Sequence, residues 1–264
     1  SASYVQAAHS RGIEVWVLVE DITYKNEFDF NELMSYTTKR TKVIDTLVQS
    51  VLRCGADGIN IDFENVPSDG GEHFIQFIRE LSIVCRLNGV ILSVDNYVPM
   101  PHTNHYNRAE QGVVADYVVI MGYDEHWNGS GNAGSVASIE FVREGIVQTL
   151  EEVPSHKVIN GVPFYTNVWK TEGTVTTNQQ VGMGYAQQIA AENGAEIMWD
   201  EEVCQYYARY TIGEAFYQIW LEEEESIATK LNLMDHYDIA GVAQWKLGLE
   251  KSSIWDIINE YLQK

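Results

Sequence analysis

The chain has 264 residues, 45% hydrophobic and 21% charged, with 17 Lys+Arg against 38 Asp+Glu for a formal net charge of −21. Such a field repels nucleic acid and anionic membranes but tolerates neutral ligands such as sugars, and it nudges the pKa of any further carboxylate upward. No apolar run approaches the ~20 residues of a membrane span, and Cys54, Cys85 and Cys204 are too sparse and odd in number for a disulfide framework.

Taken in chain order, Ser3 to Ser10 reads as the end of a helix, stopped by Gly12. An apolar strand follows from Ile13 to Val19. A helical stretch runs from about Asn31, read as its cap, to Arg53. The next strand is Gly58 to Phe63. Helix Glu72 to Leu87 leads to strand Val90 to Asp95. A helical or loop stretch around Tyr106 to Val114 leads to strand Tyr117 to Met121. Helix Val136 to Leu150 leads to strand Lys157 to Val162. The chain closes with helix Ser226 to Tyr237, strand Gly241 to Lys246 and helix Ser253 to Gln263.

Near-continuous apolar strands alternating with helices predict a parallel sheet covered by helices. From Thr166 to about Glu225 the rhythm changes to short alternating segments. Gln205 to Thr211 and Ala215 to Leu221 read as a hairpin about Gly213, inside an inserted α+β lobe over 166–225. The acidic run Glu222 to Glu225 reads as a solvated first helical turn, where the helix dipole favours acid.

Six parallel-type strands are legible. The insertion takes roughly 60 residues, leaving about 34 for each of six strand–helix units, whereas a complete eight-unit barrel needs about 250 residues before any insertion. The fold class expected is therefore α/β, a TIM (β/α)8-type barrel with a small α+β insertion between its last two strands. The first two strands are expected to lie outside this sequence, so that residues 1–264 form one N-terminally incomplete barrel domain. An open barrel exposes sheet edges, which predicts self-association across the gap.

The densest acidic motif is Asp57-Gly-Ile-Asn-Ile-Asp-Phe-Glu64. Side chains alternate along a strand, so Asn60, Asp62 and Glu64 share one face and Ile59, Ile61 and Phe63 the other. Glu64 falls at the strand's C-terminal end, where barrel active sites are built. Two neighbouring carboxylates cannot both ionise cheaply, so one stays protonated and can act as an acid. Strand-end carboxylates facing solvent, or a hard-cation site, are the other readings of this motif, although no further carboxylate obviously completes a cation site.

Asp57-x-x-Asn60-x-Asp62-x-Glu64 resembles the DxxDxDxE signature of glycoside hydrolase family 18, with Asn at the second acidic position. Met121-Gly-Tyr123-Asp124 is similar to that family's MxYD motif. Gly241-Val-Ala-Gln-Trp245 resembles its final strand, and Gly161-Val-Pro-Phe-Tyr165 the strand before its inserted lobe. Within the family the wording is nearest to bacterial spore-cortex and peptidoglycan N-acetylglucosaminidases.

The resemblance implies a retaining glycosidase that hydrolyses β-linked N-acetylglucosamine polymers, of peptidoglycan or chitin type, with help from the substrate's own acetamido group. It needs no cofactor and no metal, and its partner is the polysaccharide, with no nucleic acid and no membrane insertion. The place of action it implies is extracytoplasmic, although no secretory leader is legible here. It makes Glu64 the proton donor, Asp62 the partner of the acetamido group and Tyr123 the donor to the acetamido oxygen. Asp57, Asn60, Met121, Asp124, Trp127, Tyr165 and Trp245 are implied as substrate-binding, with Asn60 holding Asp62 and Trp245 stacking on the sugar. Trp169, with Tyr165, is expected to line the cleft.

Each aromatic also has a plainer reading as core, and Asn128-Gly-Ser130 matches a glycosylation sequon that is common by chance. Two rivals stand beside the hydrolase: a catalytically weak or inactive carbohydrate-binding barrel of the same family, and a metal-dependent hydrolase using the same carboxylates. The retained Glu64 favours the enzyme over the binding module.

Overall fold

A computed structural model describes residues 1–21, 29–127 and 129–263 of the chain; Asn128 of the sequon lies outside the described residues. The chain divides into two compact units, one made of residues 1–120 and 149–158, the other of residues 121–148 and 159–264.

The first unit runs α1 (Ala2–His9), β1 (Trp16–Glu20), α2 (Phe30–Met34), α3 (Thr37–Cys54), β2 (Gly58–Asp62), α4 (Gly71–Asn88), β3 (Ile91–Tyr97), α5 (Arg108–Val114) and β4 (Tyr117–Met121). Its strands lie in the order β1-β2-β3-β4. β1 pairs with β2 in parallel with Leu18 opposite Asn60, and β2 with β3 with Asn60 opposite Ser93. Alternation decides the faces. Ile59, Ile61, Leu92 and Val94 are buried against the helices. α4 supplies Phe74, Ile78, Leu81 and Cys85, the 3–4 spacing of a single apolar stripe. Phe63, just past β2, stacks on Phe77 at 5.7 Å between ring centroids. α3 and α4 both end on a left-handed glycine, Gly55 at φ 73° and Gly89 at φ 66°, which turns the chain into the next strand.

The predicted long helix from Asn31 is two helices. Asp29, not Asn31, caps α2, accepting the Glu32 N–H at 2.8 Å, and Asn31 instead donates to Asp69 at 3.0 Å. Tyr36 is extended between α2 and α3. Arg40, one turn into α3, holds this corner by donating to the Met34 carbonyl at 2.7 Å and to both carboxylate oxygens of Glu80 at 2.8 and 3.0 Å. A forked, half-buried pair of this kind fixes geometry as well as charge, and periodicity alone does not show it.

The second unit contains α6 (Ile139–Leu150), β5 (Val158–Pro163), β6 (Tyr165–Glu172), β7 (Val175–Gly182), α7 (Met183–Glu192), β8 (Glu196–Asp200), β9 (Gln205–Ile212), β10 (Ala215–Leu221), α8 (Glu224–His236), β11 (Gly241–Trp245) and α9 (Ile254–Leu262). β5 and β11 pair in parallel, with Gly161 opposite Ala243. β6 to β10 form an antiparallel sheet in the order β7-β6-β10-β9-β8, and α7 contacts four of its strands. The hairpin predicted about Gly213 is β9–β10, with Ala215 opposite Ile212. Val168, Val181, Ala186, Ala190, Ala208 and Ile219 make the core of this lobe.

The acidic run at the start of α8 is solvated only at its far end: Glu222 and Glu223 are buried, Glu224 is half-buried and Glu225 is exposed. Glu222 and Lys230 are 0% and 1% exposed and paired at 2.9 Å. Gln205 and Ser226 donate to the two Glu222 oxygens at 2.7 and 2.8 Å. Glu223 caps the helix, Glu224 pairs with Lys251 at 2.7 Å, and Glu225 accepts from Tyr206 at 3.0 Å. A buried charge is tolerated only when paired and hydrogen-bonded, and the partners here come from sequence positions too distant to be read locally.

Candidate active site

The C-terminal ends of β2 and β3 carry one polar face. On β2 it holds Asn60 and Asp62, with Glu64 two residues beyond the strand's end. On β3 it holds Ser93, Asp95 and Tyr97. Asn60 donates to Ser93 Oγ at 2.9 Å and to Asp95 Oδ1 at 2.7 Å. Its amide therefore holds Asp95 rather than Asp62, contrary to the role implied by the sequence. Asp62 is 7% exposed, and its Oδ1 has no hydrogen-bond partner among the described residues. Burial pushes its pKa up to about 7, reinforced by the negative charges of Asp95, Glu64, Glu20 and Asp21.

Glu64 is exposed, and its position is set from two sides. The Tyr97 hydroxyl donates to Glu64 Oε2 at 3.0 Å. Buried Asp21, one residue past β1, accepts the backbone N–H groups of Glu64 and Asn65 at 3.0 and 2.8 Å. Burial, with Glu64 beside it, raises the Tyr97 pKa, so this hydroxyl remains a donor. Asp21, Asp95 and Tyr97 were not singled out from the sequence. Asp95 and Tyr97 obey the same alternation as Asp62 and Glu64, so the rule that found one face finds the other. Asp21 leaves no such signal, because its role depends on the chain beyond β2 folding back to it.

Asp57 sits at the other end of β2, before its first residue. Asp62 lies five positions further along the chain, about 16 Å away. Its carboxylate accepts the Val15 N–H at 2.7 Å and contacts His9 Nε2 at 2.8 Å. The Val15 bond, then His9, hold its pKa below the usual carboxylate range. Asp116, just before β4, does the same for the Leu92 N–H at 2.8 Å. Both acids pin the starts of neighbouring strands, which corrects the substrate-binding role expected of Asp57.

In the second unit, the turn after β4 brings together Tyr123, Asp124 and Tyr165. The Tyr165 hydroxyl donates to Asp124 Oδ1 at 2.5 Å, and its ring meets Tyr123 edge-on at 6.2 Å. Asp124 is left-handed, at φ 61°, a conformation that Asp adopts more readily than bulkier residues. Gly122 allows the turn to press close, since a Cβ there would lie 2.7 Å from the Gly161 carbonyl oxygen and 2.8 Å from the Asn160 amide. Tyr165 is 1% exposed, so it acts by holding Asp124 and not as a wall of a cleft. Trp169 is likewise buried and donates its indole N–H to the Gly134 carbonyl at 2.8 Å, which corrects its expected place in a cleft. Met121 is buried at the end of β4, whereas Trp127 and Trp245 are 55% and 42% exposed. Trp245 is the last residue of β11, and the Lys246 ammonium lies 5.9 Å from its ring centroid.

Among the described residues, no three His, Cys, Asp or Glu side chains converge so as to hold a metal ion, and no helix is long and apolar enough to cross a membrane.

Strands alternating with helices, an antiparallel lobe ahead of the last strand and acids at a strand's C-terminal end define an α/β protein of the TIM-barrel type with a carboxylate site. The chain belongs to the glycosyl hydrolases family 18, whose family model matches residues 3–250. It is 29% identical over 238 residues to the cortical fragment-lytic enzyme of Bacillus subtilis, covering 86% of this chain and 55% of that one. The chain thus spans about half the length of that curated relative. Among solved structures, the fold is similar to a chitinase from Chromobacterium violaceum (TM-score 0.90, 24% identity, 100% of this chain and 84% of that one). It is also similar to the spore cortex-lytic enzyme SleL of Bacillus cereus (TM-score 0.89, 24% identity, 98% and 62%).

Proposed function

We propose that this chain is a retaining glycosidase that cleaves β-linked N-acetylglucosamine polymers by substrate-assisted catalysis, acting outside the cytoplasm on peptidoglycan or chitin. The observation that carries this reading is the pairing of an exposed Glu64 with a buried Asp62 that keeps its proton up to about pH 7. Glu64 gives its proton to the glycosidic oxygen as the bond to the anomeric carbon breaks. The substrate's acetamido carbonyl oxygen forms the new bond to that carbon, giving an oxazolinium ion. Glu64, now a carboxylate, takes a proton from water as the water oxygen adds to the same carbon. Two inversions leave the configuration retained, one of the recognised departures from the scheme in which a second carboxylate is the nucleophile.

Asp62 orients the acetamido group and stabilises the charge that builds on it, an electrostatic effect of large potential size. For the second unit, the family resemblance assigns Tyr123 as donor to the acetamido oxygen, Asp124 as acceptor from a sugar hydroxyl and Trp245 as the ring that stacks on the sugar. The relative described as a cortical fragment-lytic enzyme supports a cortical-fragment polymer as substrate.

The test is digestion of purified peptidoglycan and of chitin oligomers, with product masses and the first-formed anomer followed by NMR. New reducing N-acetylglucosamine ends released first as the β-anomer are expected, with turnover unaffected by chelation. Initial α-anomer would exclude retention, and loss of turnover on chelation would favour the metal-dependent alternative. Binding without any turnover would leave a carbohydrate-binding barrel.

Tyr165→Phe tests the Asp124 assignment. Losing one hydrogen bond to a charged group costs about 1.5 kcal/mol of folding stability, so the melting temperature is expected to fall by about 3–6 °C and kcat/KM to fall severalfold as Asp124 loses its fixed orientation. An unchanged kcat/KM would remove Asp124 from sugar contact.

A further inference from the structure

The family pattern places an acid two residues before Asp62, and here that place is held by Asn60, which cannot carry charge. We infer that Asp95, on the neighbouring strand, supplies the missing negative charge and acts as the positioning partner of Asp62. This inference rests on the proposed function for its catalytic meaning, but not for its geometry.

Register provides the first argument. β2 and β3 pair in parallel with Asn60 opposite Ser93 and Ile61 opposite Val94. One more step along that register sets Asp62 opposite Asp95, on strands about 4.8 Å apart. Alternation puts both on the face shared by Asn60 and Ser93, and the Asn60 bonds to Ser93 and Asp95 confirm that face. The Asn60 amide is a donor fixed on Asp95 Oδ1, which holds this carboxylate in an accepting, negatively charged role. Across the register, Asp62 Oδ1 is buried and without a partner among the described residues.

The groups facing the pair are all acidic or neutral. Glu20 and Asp21 lie on the β1 side, Glu64 follows β2, the Tyr97 hydroxyl ends β3 and the Tyr106 hydroxyl lies beyond it. No cation acts on either acid among the influences resolved for them. Two buried carboxylates on facing positions of neighbouring strands each disfavour the other's charge. Burial raises both, Asp62 to about 7 and Asp95 to about 6, the latter restrained by its Asn60 bond. The bond donated by Asn60 favours the charge on Asp95, and Asp62, whose Oδ1 has no such donor among the described residues, is the acid that burial and Asp95 disfavour as an anion. An acid that the family pattern places on β2 has in effect moved sideways to β3, with Asn60 as the bridge.

Two variants isolate the charge. Asp95→Asn keeps an acceptor for Asn60 and removes only the negative charge. The double variant Asn60→Asp/Asp95→Asn returns the charge to β2 and preserves the same hydrogen bond with donor and acceptor exchanged. The readout is the titration of the Asp62 carboxyl carbon by NMR in aspartate-labelled protein, its resonance assigned by disappearance in Asp62→Asn. The kcat/KM–pH profile on N-acetylglucosamine oligomers is measured beside it. In Asp95→Asn the Asp62 midpoint and the basic limb are expected to move down by about one unit or more. In the double variant both are expected to return to within about half a unit of the parent. An Asp62 midpoint unmoved in Asp95→Asn, or not restored in the double variant, would overturn the inference. Absence of oligomer cleavage by the parent protein would instead overturn the proposed function, and the NMR titration would still decide the role of Asp95.

Discussion

Glu64→Gln is expected to lower kcat on N-acetylglucosamine oligomers by about 10³-fold or more while leaving their Kd within a fewfold of the parent's. General acid–base catalysis by a placed side chain contributes about 10²–10⁴-fold, and here one group serves as acid in the first half-reaction and base in the second, so both halves lose it. The substitution keeps the local structure intact. Gln retains an oxygen to accept from the Tyr97 hydroxyl, and the bonds from the Glu64 and Asn65 backbone to Asp21 do not involve the side chain. Glu64 is exposed, so no buried group is orphaned. The loss should therefore appear in turnover, measured by reducing-end release, and not in binding, measured by calorimetry. Activity within tenfold of the parent would remove Glu64 from the reaction.

How much of this was legible beforehand follows from which forces are local. Alternation along a strand is local, and it placed Asn60, Asp62 and Glu64 on one face and Ile59 and Ile61 on the other, as the burial of both isoleucines bears out. Strand–helix order is nearly local, and it gave six strands and the lobe carrying the Gly213 hairpin. What escaped was set by partners distant in sequence. Asp21 reaches 43 residues along the chain to the Glu64 amide, and Arg40 reaches 40 to Glu80. The Glu222 carboxylate is buried because Gln205, Ser226 and Lys230 converge on it. Charge runs read as solvated whenever their cations cannot be seen from the sequence. The Asn60 amide illustrates the same limit, since one strand shows its face but not which neighbouring strand supplies its acceptor.

Asp62→Asn should make the protein more stable and far less active at once. The Asp62 pKa stands at about 7 in the folded chain, against a usual 3.8, chiefly because burial penalises its charged form. Between those two pH values the folded state binds a proton that the unfolded chain has released, so stability falls as pH rises through that window. Above it, the full cost of a buried charge is present. At pH 8 the neutral amide avoids that cost, for an expected gain on the order of 2–4 kcal/mol over the parent, whereas at pH 4 both side chains are neutral and the gain should vanish. Denaturant titrations of both proteins at pH 4 and pH 8 measure this directly. kcat/KM should fall by orders of magnitude, because the amide has no carboxyl proton to release and so cannot become the carboxylate that faces the oxazolinium ion. A destabilisation equal at both pH values would mean that Asp62 is held in place by contacts rather than strained by its charge. A stability gain with undiminished turnover would mean that the strain serves no reaction. The opposed signs follow from one cause: the neighbouring acids and the burial that make Asp62 costly to ionise are what keep a proton beside Glu64 at neutral pH.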